Sequence, residues 1–136
     1  MTAETDTGWK NVGAKLHKER AKEKVYGSGD TLGTSQVVAL APVRVGGTNG
    51  NVMVHNGHIS ATVTVKVWVS DVYDSPGDPI NNPTNWKQIG SDLTATAGGS
   101  DYGVFGPHFM WVCVTAVSNT AGTYPVYVRL YCAQGV

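Results

Sequence analysis

"TVTVKVWVSDVYDSPGDPINNPTNWKQIG", residues 62–90, begins with strict alternation and then abandons it. Val63, Val65, Val67 and Val69 hold one parity, while Thr62, Thr64, Lys66 and Trp68 hold the other. Successive side chains of a strand point to opposite faces, so this is a strand with one valine face in a core. The fifteen residues after Ser70 contain three Asp, three Asn and three Pro before Trp86 restarts a periodic segment. Either that excursion binds a ligand, or it is a long connection between two strands.

The same period of two recurs outward from this stretch. "QVVALAPVRV", residues 36–45, reads as a strand whose Pro42 marks an edge or a bulge. "NVMVHNGHIS", residues 51–60, contains Asn56-Gly57, the strongest short hairpin signal. "WKQIGSDLTATA" (86–97) follows the excursion, and "GGSDYG" (98–103) reads as a turn. "FMWVCVTAV" (109–117) and "YPVYVRLYCA" (124–133) close the chain. In the last strand Val126, Val128, Leu130 and Cys132 share the core face, with Tyr127, Arg129 and Tyr131 opposite. Met110, Val112, Val114 and Ala116 form the corresponding core face of its expected partner. Six or seven such strands with glycine-rich turns predict an all-β fold, a two-sheet antiparallel sandwich or jelly roll, over residues 35–136.

Residues 1–34 read differently, as an extended or partly helical N-terminal arm with a hinge. Six of the ten basic residues lie in the first 24 positions, against four acids. "GAKLHKERAKEKVYG" (13–27) has good helix formers from Ala14 to Lys24 but few apolar positions, so a helix there needs something else to dock on. "GSGDTLGTS" (27–35) predicts a flexible hinge.

Composition narrows the function. The chain has 136 residues, enough for one domain with a 41% hydrophobic share to build its core. Only 15% are charged, below the usual ~25%, and the formal net charge is zero. Nothing in that balance favours nucleic acid or a membrane surface, and a sparsely charged exterior suits a subunit of an assembly. No run approaches the ~18 apolar residues of a membrane span, and the first thirty residues lack the apolar centre of a Sec signal. If "SNTAGT" (118–123) is a hairpin turn, Cys113 and Cys132 sit about four residues apart along a sheet, roughly 13 Å at ~3.3 Å per residue. A disulfide needs less than ~7 Å, so two thiols are expected, as suits a reducing interior.

Candidate chemistry is thin. Asp71, Asp74 and Asp78 are the metal candidates of the excursion, yet their spacing lacks the alternating carboxylates and closing Glu of a calcium loop. Asp and Asn beside Pro or Gly also make ordinary turns, which is the better fit. His55 and His58 flank the Asn-Gly turn and could face each other, but no Cys or carboxylate nearby completes a zinc site. No activated nucleophile, paired carboxylates or phosphate loop occurs, so no enzyme and no cofactor is expected. The aromatic residues are more informative. Trp68, Trp111, Phe109, Tyr127 and Tyr131 fall opposite the core faces and form a candidate interaction surface. Leu16, Lys18, Arg20, Lys22 and Lys24 are the corresponding candidates in the arm.

The order of segments resembles the small β-sandwich proteins in the virions of tailed bacteriophages. It lies in "VTVKVWVS" (63–70), an "NW-x-x-IG-S" restart from Asn85, "GSDYGVFGPHFMWVCVTAV" (99–117) entered through Gly-Pro, and "GTYPVYVRLYCA" (122–133). In such proteins a short "Ser-x-Asp-Gly-x-x-Trp" hairpin joins the first two, and "SDVYDSPGDPINNPTNW" (70–86) resembles a lengthened version anchored by Trp86. The resemblance implies a non-enzymatic role in a virion assembled in the host cytoplasm: a capsid decoration or cement protein, or a neck or tail component. The implied partners are capsid or neck subunits and further copies of the chain. Carbohydrate-binding sandwiches share part of this layout and supply the competing expectation.

Overall fold

A computed structural model describes residues 21–132. Eight strands lie within them: β1 Ala21–Tyr26, β2 Val37–Arg44, β3 Gly50–Asn56, β4 Val63–Ser70, β5 Lys87–Ala95, β6 Ser100–Phe105, β7 Trp111–Ser118 and β8 Val126–Cys132. One sheet has the order β1-β8-β3-β6 and the other β2-β7-β4-β5. The antiparallel pairs nest: β4 with β5, β3 with β6, β2 with β7 and β1 with β8. The chain is one long ribbon turned back on itself at residues 71–86, then rolled into two facing sheets as a jelly roll. The polar excursion is therefore the apex of the whole ribbon.

Only the β4–β5 link stays within a sheet; every other consecutive pair of strands changes sheet. Two expected hairpins are corrected by this. Asn56-Gly57 begins the crossing from β3 to β4, and residues 118–123 begin the crossing from β7 to β8. Both segments carry turn chemistry, but turn residues fix only the local bend, and the neighbouring valine faces fix which sheet each strand joins. "SDYGVF", read in part as a turn, is the edge strand β6. Its glycine hid it: Gly103 lies under Leu93, where an added Cβ would stand 3.0 Å from that side chain.

The core lies between the sheets. Val52, Val54, Val63, Val65, Val112, Val114, Val128 and Leu130 are buried in it, as the alternation requires. Each such side chain contributes about 1.5–3 kcal/mol relative to exposure. Pro42 sits on an edge strand that also slips register twice against β7, so both readings of that proline hold. A second irregularity separates the pairs Val65–Leu93 and Val67–Ile89, and Gly90 supplies the positive φ of 67° found there. Met110, expected on the core face, is half-buried in the loop before β7.

Of the extended and partly helical forms expected for the arm, the described part takes the extended one despite its helix formers: Ala21–Tyr26 is a strand paired along its whole length with β8. Helix propensity is a weak prior, and the open edge of β8 offers backbone partners and a buried seat for Tyr26. Within "GSGDTLGTS", Gly27 and Asp30 exchange backbone hydrogen bonds, and Leu32 is buried in the core. Leu16, Lys18 and Arg20 lie outside the described residues. Among the described residues no helix is long and apolar enough to cross a membrane.

Candidate interaction surfaces

The expected aromatic surface is in fact two surfaces on opposite sides of the molecule. Trp68 and Trp111 belong to the outer face of β2-β7-β4-β5, whereas Tyr127 and Tyr131 belong to that of β1-β8-β3-β6. Phe109 belongs to neither, because it packs against the core at the loop end.

On the first of these faces both indoles are committed internally. Trp68 lies directly across from Cys113, and its Nε1–H donates to Thr115 Oγ1 at 2.9 Å. The Thr115 hydroxyl in turn donates to Gln36 Oε1 at 3.3 Å. Trp68 thus roofs β7, whose Cys113 and Thr115 are buried although they point away from the core. Burial pushes the Cys113 thiol up to about 12, with the charge of Asp78 a lesser cause, so this cysteine is inert. Cys132 is buried in the other sheet, and neither cysteine is in a disulfide. The separation argued from a hairpin had the wrong geometry, since these strands do not pair. Trp111 donates its indole N–H to Val72 O at 2.9 Å, and the Arg44 guanidinium lies 5.5 Å from its ring and 5.7 Å from that of Tyr73. These contacts pin the start of the apex loop to the sheet.

The apex loop spends its polar groups on itself. Asp78 Oδ1 accepts from the backbone N–H of Ile80 and Asn81, and Oδ2 accepts from the Asn81 amide at 3.0 Å. The Asn81 backbone and side-chain bonds hold the Asp78 carboxyl below its ordinary pKa. Pro76 O accepts from Asn85 Nδ2 at 2.9 Å and from the buried Trp86 indole at 3.2 Å. Trp86 anchors the return into β5, as its place in the sequence implied. Asp71 and Asp74 do not join Asp78: among the described residues no group of three or more His, Cys, Asp or Glu could hold a metal. His55 and His58 also part company. His55 lies on the outer face of β3 against Ser100 Oγ at 2.7 Å. His58 is buried in the crossing link, where Nδ1 accepts from the backbone N–H of Ser60 and Ala61.

The outer face of β1-β8-β3-β6 is different in kind. Register aligns three rows across it: Ala21–Tyr131–Asn51–Val104, Glu23–Arg129–Met53–Tyr102 and Val25–Tyr127–His55–Ser100. Nine large hydrophobic side chains are exposed among the described residues, and five of them converge here: Val25, Met53, Tyr102, Val104 and Tyr131. Tyr102 and Val104 are the most open of the five, at 65% and 74% exposure. The charges on this face are mutually engaged, because Arg129 pairs with Glu23 and stacks over Tyr127 at 4.9 Å. Sequence reasoning found Tyr127 and Tyr131 but missed Tyr102 and Val104, since their strand was read as a turn. Lys22 and Lys24 point the other way from Glu23 and Val25, and Lys24 pairs with Asp30 at the sheet edge.

No family model matches the chain, and no curated protein matches it. Among solved structures it is similar to PirA, with 10% identity over 84% of this chain and 94% of that one and a TM-score of 0.49. It is also similar to a chain of the Bacillus endospore appendages, which are disulfide-linked pili, with 11% identity, 84% and 88% coverage and a TM-score of 0.45. A third is the SPBc2 prophage-derived protein YomS, with 13% identity, 83% and 93% coverage and a TM-score of 0.42. No residue role is carried over from them.

Proposed function

We propose that the protein is a non-enzymatic structural component of a tailed-phage virion, a capsid decoration or cement protein that adheres to neighbouring subunits. The observation that carries this reading is the outer face of β1-β8-β3-β6. It gathers five exposed apolar side chains on a rigid sheet in a chain with few charges. Contiguous apolar patches of this kind mark sites that other proteins cover. Adhesion, with no bond made or broken, is the work such a surface performs, and the segment before β1 supplies a second point of attachment. The order of sequence segments supports the virion setting, with the neck or tail as the alternative location.

The test is direct. Purified particles of the encoding phage contain the protein in many copies, and antibody against the body decorates the capsid lattice in electron micrographs. Particles without the protein overturn the reading; label confined to the neck or tail moves it there. A glycan-binding role predicts a Trp68 or Trp111 ring face free to stack on sugar, whereas both residues are half-buried and the Arg44 guanidinium lies over the Trp111 ring at 5.5 Å. Tryptophan fluorescence titrated with a glycan panel is therefore expected to stay flat.

A further inference from the structure

We infer that the outer face of β1-β8-β3-β6 is a homotypic interface, covered by the same face of a second copy of this chain. The inference deepens the assembly reading above and takes from it only that the face is meant to be covered.

Charge selects the occupant. Glu23 and Arg129 satisfy each other on one side of the face, and the opposite side carries Met53, Tyr102 and Val104. A strongly acidic or basic partner would meet no unpaired charge here and would lose solvation on binding. A copy of the same face brings apolar surface of equal extent and an ion pair already closed. If the β3–β6 sides of the two copies meet, Met53, Tyr102 and Val104 form the dry centre, and the Glu23–Arg129 pairs remain at the rim. That is the usual anatomy of an interface, with an apolar core, aromatic side chains and polar margins. A chain of zero net charge adds no long-range repulsion between copies.

Four strands at ~4.8 Å and six residues at ~3.3 Å give a flat footprint of roughly 19 by 20 Å, to which side-chain relief adds. A standard interface buries ~800 Å2 of accessible surface per partner, so most of the face has to be covered. A two-fold axis parallel to the sheets then closes the contact on itself and limits it to a pair. Two jelly rolls packed face to face leave the Trp68–Trp111 side and the apex loop free for other subunits.

The test uses the full chain in sedimentation equilibrium at micromolar concentration, with circular dichroism as the control for folding. Wild type is expected at roughly twice the monomer mass. Val104→Arg and Tyr102→Glu should each shift it to the monomer with an unchanged spectrum and a melting temperature lowered only by the lost association, because both side chains stand in solvent in the single chain. Tyr73→Glu, an exposed position on the apex loop, should leave the dimer intact. A monomeric wild type overturns the inference and hands the face to another occupant, residues 1–20 or a different virion protein. A dimer that survives both face variants overturns it as well. Attachment to particles is scored separately: a monomer that still decorates capsids sinks the homotypic contact alone, and a dimer absent from particles sinks the virion reading alone.

Discussion

At the scale of single residues, two polar side chains hold loops that the hydrophobic pattern cannot specify. Asn56 is fully buried where β3 leaves its sheet, and its Nδ2 donates to Ala61 O at 2.8 Å and Ala95 O at 3.0 Å while Oδ1 accepts from His58 N. Asn56→Ala strands two buried carbonyls and a backbone N–H, so a loss of about 3 kcal/mol is expected, read as a lower urea midpoint at unchanged slope. A loss within about 0.5 kcal/mol would show that water replaces these bonds. Asp78 makes the pH prediction. Its folded pKa is depressed, so its contribution is complete above the ordinary value of 3.8 and disappears as pH falls through the folded value. NMR titration should place the Asp78 carboxyl midpoint below 3.8, with the amides of Ile80 and Asn81 reporting the same transition. A midpoint at or above the ordinary value would mean that the turn is not capped by this carboxylate. The turn role of Asp78 agrees with the better-fitting reading of the excursion, whereas Asn56 reads as a hairpin residue and its anchoring role does not show, because its residue type serves many backbone geometries.

At the scale of elements, valine parity was readable and strand partners were not. β4 and β8 follow the alternation closely, whereas in β7 the outward-pointing Cys113 and Thr115 are buried along with the core face. β1 and β6 escaped notice because each is an edge strand of six residues with a charged or glycine-interrupted pattern, paired with distant partners. The start of β3 lies close against both of its neighbours. A Cβ on Gly50 would meet Tyr131 O at 2.2 Å and the Phe105 ring at 2.6 Å. Gly50→Ala must therefore push β8 and β6 apart and is expected to lose about 3 kcal/mol, checked by thermal melting. Tolerance of that change would mean that the end of β3 is looser than the register implies.

At the scale of the molecule, the all-β class and the sandwich followed from periodicity, whereas the nested pairing did not, since nothing local distinguishes a hairpin from a crossing. The domain boundary placed near residue 34 is open to a direct comparison of two truncations. A chain begun at Ser35 lacks β1, and with it the buried Tyr26 and Leu32. At about 1.5–3 kcal/mol for each buried side chain, it should lose about 5 kcal/mol relative to a chain begun at Ala21. Equal melting temperatures would support the boundary at 34. The nested pairing also has a temporal consequence. During synthesis the middle of the ribbon can close as soon as β5 leaves the ribosome, but β1 has no strand to pair with until β8 emerges. The β1-β8-β3-β6 sheet is thus completed only once the last strand of the ribbon has been made.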